Sequence, residues 1–397
     1  MTILQLISSA GFYGAERMLI SLAQASQRMG AKILIGVFED ARQPKPEIAE
    51  RASQCGLKVE LVRCNGRFDI APVARIRSIV NQSQVDVIHS HGYKADLYGF
   101  AARRTTTAAL VSTCHNWPDP SQLMQAYAAA DRFVLRRFEA VASPSPQVKQ
   151  ILENSGIEPA KLTFISNGID LEQFRNAVPS LRNELKCHGK QIVGFVGRLV
   201  KEKGGDVLIA AAPTILKSCP EARFVFVGEG DCDAKWRQLS EQLGVADKVL
   251  FVGKRKDMPG VYASFDLLVL PSFNEAMPMC ILEAMAASKP VVASNVGAVA
   301  DLVLPGLTGS LVPPANSTRL ADQIIELLKD PTKAAQFGRN GYCHVDASYS
   351  SQTMARNYQN LYNRAVSVAH PRPALKNAAH NEYEKTCWQS HYRFRMP

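Results

Sequence analysis

Short apolar runs and amphipathic segments alternate along almost the whole chain, and this alternation is what most limits its fold. Runs at 3–8, 32–38, 58–62, 86–89 and 108–113 read as buried strands, and 15–29, 46–55, 72–83 and 94–104 as the helices between them. Strands apolar on both faces, each followed by a helix, build a parallel sheet covered on both sides. A helix over 122–138, a strand over 139–143, a helix over 145–154 and a strand over 162–165 extend the plan. It starts again at 191, with strands at 191–196, 223–227, 249–252, 267–270, 290–293 and 308–312. Helices over 204–216, 234–243, 279–287, 317–328 and 332–342 alternate with them. A length of 397 residues suits two such units. The expected fold class is therefore α/β, with two Rossmann-like parallel-sheet domains over 1–175 and 191–345. Residues 176–190 lack a clear apolar period, contain Pro179 and Gly189, and are expected to link them. In a last segment, 346–370, a helix carries Met354, Tyr358, Leu361 and Tyr362 on one face. Residues 371–397 have no periodicity and are expected to be mobile.

Ligands of open parallel sheets bind beyond the carboxyl ends of strands, so the turns after strands are where the chemistry is expected. The run 271–287 reads PSFNEAMPMCILEAMAA. Pro271 stops a strand, a polar turn follows, and a helix begins at Met279 with Pro278 near its first turn, where a missing N–H costs little. Its free N–H groups and positive dipole end suit an anion. Glu275 lies in the turn, where it could cap the helix or hold a hydroxyl. Glu283 lies on an otherwise apolar helix and needs a partner, either an arginine or the hydroxyls of a sugar or ribose.

The turn after the strand at 191–196 reads GRLVKEKG and offers Arg198 and Lys203. A guanidinium fork and an ammonium point charge suit a diphosphate, although loop cations can also simply be solvated. Gly11-Phe-Tyr-Gly14 leads from the first strand into a helix, a phosphate-binding shape without the spacing of a dinucleotide fingerprint. A plain tight turn is the alternative. Two further strand ends carry His89 and His91, and His115. His89 and His91 could ligate a metal, but no third ligand is evident. Asp231 and Asp233 open a helix, where acids suit the dipole, and are not read as a metal site.

Glu275 and Glu283 enclose seven residues, with flanks NEA and LEAMA. In this the chain resembles the retaining glycosyltransferases of the two-domain GT-B architecture, the family-four group, whose carboxyl-terminal domain carries a Glu–seven–Glu motif followed by Ala-Met-Ala. Gly197-Arg198 with Lys203-Gly204, Gly14-Ala15-Glu16 and Asn167-Gly168-Ile169-Asp170 extend the resemblance over 1–368. It implies two domains facing a central cleft, the first on the acceptor side and the second holding a nucleotide sugar, with the last helix crossing back onto the first. It implies transfer of a sugar from a UDP- or GDP-linked donor to a hydroxyl of a glycan or lipid-linked acceptor, with no resident cofactor and no metal. Arg198 and Lys203 would meet the donor diphosphate, Gly14 would let the backbone approach it, and Met279 would offer a backbone N–H. Glu283 would hold the ribose, Glu275 the donor sugar, and His115 would point toward that sugar. The loop 253–256 would lie beside the base. The chain departs from the group at Ala276-Met277-Pro278-Met279, where a glycine and an aromatic are usual, so the sugar pocket is expected to differ in shape. A nucleotide-sugar epimerase and a catalytically silent scaffold share the architecture; the intact Arg198, Lys203, Glu275 and Glu283 argue against the scaffold.

The net charge of +10 is spread along the chain without a basic block, which favours small anions or a membrane surface over nucleic acid. Arg132, Arg136 and Arg137, interleaved with Phe133, Leu135 and Phe138, suit either a helix C-terminus or, with Arg103 and Arg104, a weak peripheral membrane contact. Nine scattered cysteines without a Cys-x-x-Cys pair fit a reducing compartment. The first twelve residues lack the basic start of a signal peptide, and no apolar run reaches 18 residues. A cytoplasmic protein, with a possible station at the inner membrane face, is expected.

Overall fold

A computed structural model describes residues 1–9, 11–39, 46–66, 69–115 and 122–370. The tail 371–397, for which the sequence predicts mobility, lies outside the described residues.

Seven parallel strands form the first sheet: β1 (Thr2–Ile7), β2 (Lys32–Glu39), β3 (Lys58–Arg63), β4 (Val87–His91), β5 (Ala109–Thr113), β6 (Ala140–Ser143) and β7 (Leu162–Phe164). Their order is β3-β2-β1-β4-β5-β6-β7. Successive β1 side chains show why both faces must be covered. Ile3 and Ile7 pack with Met18, Leu19 and Leu22 of the helix Gly14–Arg28, whereas Leu4 and Leu6 pack with Ile76 and Ile79 of the helix Ala71–Ser83. Each fully buried aliphatic contributes about 1.5–3 kcal/mol, so neither layer can be stripped without losing the sheet.

The second sheet has six parallel strands: β8 (Gln191–Val196), β9 (Ala222–Val227), β10 (Val249–Phe251), β11 (Leu267–Leu270), β12 (Val291–Ser294) and β13 (Gly309–Val312), in the order β10-β9-β8-β11-β12-β13. Strand order reverses direction between β1 and β4 in one sheet and between β8 and β11 in the other. Such switch points open a crevice at the carboxyl ends of the strands. The turns singled out in the sequence follow β1, β4, β5, β8 and β11, which places them all at these crevices.

The helix Ser351–Ala369 returns to the first domain. It packs on the helix Gly14–Arg28 and on β5, and buries Met354, Tyr358, Leu361, Tyr362 and Ala365 in that domain's core. Backbone bonds fix its start: Ile169 N–H donates to Tyr349 O at 2.9 Å, and Ser351 N–H to Ile169 O at 2.8 Å. The segment 176–190 is not a free tether. Leu181 and Cys187 are buried with Tyr262 and Phe265 of the second domain, Leu181 N–H donates to Ser264 Oγ at 2.9 Å, and Leu181–Glu184 makes one helical turn. Ile169, Leu171 and Phe174 join the same core. Five apolar residues spread over 169–187 without a regular period are hard to distinguish from a linker in sequence, yet each finds the same hydrophobic surface.

Candidate active site

One cleft of about 450 Å³ lies between the sheets. Gly14, His115, Arg198, Lys203, Glu275 and Met279 all line it, together with Lys254 and Arg255 of the loop 253–256 and with Arg17 and Asn167, which sequence reasoning did not select as site residues. Helices starting at Gly14 and at Met279 open into it from opposite domains. A Cβ on Gly14 would stand 3.4 Å from Met279 Cγ, so the two helix starts nearly touch. Together they present two sets of free N–H groups and two positive dipole ends to the same space.

The acidic turn and the basic turn are built as one unit. Phe273 N–H donates to Glu202 O at 2.8 Å, and a Cβ on Gly204 would come within 2.1 Å of Pro271 O. Gly204 has φ of +66°, the left-handed region that glycine enters without strain. This contact brings Lys203 Nζ to 2.6 Å from Glu275 Oε1, which also accepts from Ser272 Oγ at 2.7 Å. Glu275 is 8% exposed, so its charge is held by neighbours and not by water. Arg198 is exposed at the cleft and, among the described residues, makes no ion pair. It is the cation most available to an incoming anion.

Glu283 is not among the lining residues. It is 3% exposed and both carboxylate oxygens are engaged: Arg17 Nη1 donates to Oε1 and Tyr262 Oη to Oε2, each at 2.6 Å. Of the two partners considered for this residue, an arginine is present, and it comes from the other domain. The Glu283 charge raises the Arg17 pKa against the opposing pull of burial. Arg17 had a sequence signature, since a cation in a first helical turn opposes the dipole and needs a countercharge. Tyr262, 21 residues before Glu283, had none.

His115 is joined to His91, with His91 Nδ1 and His115 Nε2 3.0 Å apart. Burial pushes the His115 imidazole down to about 4 and holds His91 well below its ordinary value. His89 is fully buried, with Nδ1 2.8 Å from Tyr362 Oη and Nε2 2.8 Å from Thr113 Oγ1. Both of its nitrogens are thus occupied within the fold. Among the described residues no group of three or more His, Cys, Asp or Glu could hold a metal ion. Asp233 is ion-paired to Arg237 along its own helix.

The surface arginines are largely committed. Arg136 donates to Ser155 O at 2.9 Å, Arg137 lies 3.6 Å above the Phe133 ring, and Arg103 pairs with Glu139 at 2.6 Å. Leu135 and Phe138, read in the sequence as part of an interleaved surface, belong to the core, and Phe133 alone of the three is exposed. No helix among the described residues is long and apolar enough to cross a membrane.

Family models match both halves of the chain: Glycosyltransferase Family 4 over residues 12–173 and Glycosyl transferases group 1 over 179–344. The D-inositol 3-phosphate glycosyltransferase of Kribbella flavida is 30% identical over 304 residues, 69% of this chain and 70% of that protein. The lipopolysaccharide core biosynthesis mannosyltransferase LpcC of Rhizobium leguminosarum is 30% identical over 252 residues, 61% of this chain and 69% of that one. Anabaena HepE, solved in complex with UDP and glucose, aligns with a TM-score of 0.80 and 25% identity over 91% of this chain and 99% of its own. With both sheets, the cleft between them and these relatives in agreement, the chain belongs to the glycosyl transferases group 1 family and is a glycosyltransferase of the GT-B architecture.

Proposed function

We propose that the protein transfers a sugar from a UDP- or GDP-linked donor to a hydroxyl of a glycan or lipid-linked acceptor, with retention of anomeric configuration. The observation that carries this reading is the convergence of Arg198, Lys203, Glu275 and two helix starts on one cleft between the domains. HepE has been solved with UDP-glucose, which makes a UDP-sugar the first donor to test. Arg198, Lys203 and the helix start at Met279 stabilise the leaving diphosphate, where negative charge develops. Gly14 lets the first domain's backbone approach the phosphates, and His115 faces the donor sugar. Glu275 holds that sugar. Glu283 takes the ribose hydroxyls: a carboxylate offers about four lone-pair sites, and Arg17 and Tyr262 use two.

The bond from the anomeric carbon to the phosphate oxygen breaks, and a bond from the acceptor oxygen to that carbon forms on the same face. The acceptor proton leaves on the departing phosphate, so no protein nucleophile is needed. Cationic side chains supply the countercharge to the diphosphate, and turnover is expected to survive a chelator. The acceptor role in cell-surface polysaccharide or glycolipid synthesis places the protein in the cytoplasm, with weak membrane contact through Phe133 and the arginines around it. Charge reversal at Arg104 and Arg137 should weaken binding to anionic vesicles, and unchanged binding refutes that contact.

A thermal-shift panel of UDP-, GDP-, ADP- and CMP-sugars tests the donor, since a ligand at 100 times its Kd stabilises by about 2.7 kcal/mol. Product analysis with and without acceptor then separates transfer from epimerisation: a new sugar nucleotide formed without acceptor refutes transfer. No shift with any nucleotide refutes the cleft assignment.

A further inference from the structure

Three imidazoles run from the core to the cleft on one face of the first sheet. The innermost, His89, is clamped by Tyr362 of the returning helix and by Thr113, whose Oγ1 also lies 2.8 Å from Tyr358 Oη. The His91 ring packs on it, with centroids 4.2 Å apart. On its other side His91 lies nearly parallel to His115, at 21°, with His91 Nδ1 3.0 Å from His115 Nε2. Of the three, His115 is the one that lines the cleft.

A hydrogen bond between two neutral imidazoles can run in either direction. If His115 Nε2–H were the donor, His91 would carry its own proton on Nε2. That atom is buried and has no partner among the described residues, so an N–H would be stranded. If His91 Nδ1–H is the donor, Nε2 keeps only a lone pair, which is the milder loss. Burial keeps all three rings neutral, so neither direction is pre-empted by a second proton.

We infer that His91 is a positioning residue, donating from Nδ1 to His115 Nε2 and thereby fixing His115 as the Nδ1–H tautomer, a neutral hydrogen-bond donor to an oxygen of the bound sugar nucleotide. The inference rests on the cleft being the nucleotide-sugar site. It gives His115 a defined chemistry. Its one bare nitrogen already accepts from His91, so His115 serves as a donor and not as the base for the acceptor hydroxyl. It also gives Tyr358 and Tyr362 a task beyond packing, because they hold the His89 ring against which His91 is set.

Nitrogen-15 correlation spectra of the full chain read the tautomers without any substrate, with signals assigned through His91→Asn and His115→Asn. The expected pattern is His115 protonated on Nδ1 and bare on Nε2, with His91 protonated on Nδ1. A protonated Nε2 on His115 overturns the proposal whatever the enzyme turns over. The kinetic arm uses UDP-glucose. His91→Asn keeps an N–H where Nδ1 stands, and His91→Leu does not. The leucine variant should lose about tenfold in kcat, one hydrogen bond's contribution at the transition state, with donor KM nearly unchanged. The asparagine variant should recover most of that loss. Equal losses in two variants of matched melting temperature would mean that His91 only packs. Wild-type turnover in His115→Ala would overturn the role given to His91 through failure of the site reading, and the tautomer spectra would show which of the two had failed.

Discussion

Arg198 and Lys203 project from the same turn, yet their surroundings make them respond differently to removal. Arg198 is exposed and, among the described residues, makes no ion pair, so Arg198→Ala should leave the melting temperature unchanged. It should weaken UDP binding by about 1.5–3 kcal/mol, the range for hydrogen bonds to charged groups, as read by calorimetry. Lys203→Ala should do both. It strands Glu275, 8% exposed, with Ser272 alone, and should cost about 2 kcal/mol of stability, between the values for exposed and buried pairs. Equal melting temperatures in the two variants would refute this account of the pair. Away from the cleft, Asp131 is buried beside Asp96, and burial together with that second carboxyl pushes it up to about 9. An acid whose folded pKa is raised is favoured by the proton it keeps. Its contribution is whole below the unfolded value near 4 and is lost as pH rises toward 9. His89 and His115, pushed down to about 3 and about 4, act in the opposite sense, but only below the unfolded value near 6.5. Between pH 6.5 and 9 the carboxyl acts alone among these groups, so stability should fall with rising pH, and Asp131→Asn should flatten the slope in denaturant titrations. At this scale sequence is informative about charge type and place and silent about partners. The position of Arg198 after a strand, on a glycine-flanked turn, was legible. The union of Glu283 with Tyr262 was not, because nothing local ties a phenol to a carboxylate in another element.

The turn Gly197–Gly204 and the run after β11 work as a pair of elements, and the glycine at their junction sets the fit. Gly204→Ala would need φ of +66° on a residue with a Cβ, and that Cβ would stand 2.1 Å from Pro271 O. The left-handed backbone alone costs about 1–2 kcal/mol; relieving the clash must also part the turn from Pro271. The variant should therefore lose more than that in stability and lose UDP affinity as Lys203 moves from Glu275. A substitution tolerated in both measurements would show that the two turns are not coupled. Elements were the most legible scale. Strands such as β8 and β11 are apolar on both faces and end at Gly197 or Pro271, and the helix Met279–Ala286 begins directly after Pro278, which stands at its N-cap with extended backbone. The segment 176–190 was less legible because Leu181 and Cys187 are buried by contacts with distant chain, not by a period of their own. The run over 132–138 was partly legible for a related reason: at a helix end, apolar residues bound for the core, here Leu135 and Phe138, and those left outside, here Phe133, look alike.

At the scale of the whole molecule, two ion pairs among the described residues bridge the domains around the cleft: Arg17–Glu283 and Lys254–Glu47, both at 2.6 Å. The second is substantially exposed and, like most such pairs, worth little. The first joins a carboxylate with 4% side-chain exposure to a guanidinium with 26%, and it sits at the helix that would carry the donor's ribose. Removing Arg17 leaves Glu283 charged, buried and bonded to Tyr262 alone, and the relief available to it is water entering as the domains part. Arg17→Ala should therefore lower stability by about 2–3 kcal/mol, below the cost of breaking a fully buried pair, and should raise the radius of gyration in solution scattering. Adding UDP should reverse the expansion if ribose hydroxyls replace the missing donors. Glu283→Gln in the Arg17→Ala background removes the stranded charge, so the double variant should be more stable than Arg17→Ala alone, a coupling of the size that residues in direct contact show. If the two losses merely add, the pair does not hold the domains together, and closure must rest on the apposition of Gly14 and Met279 across the gap.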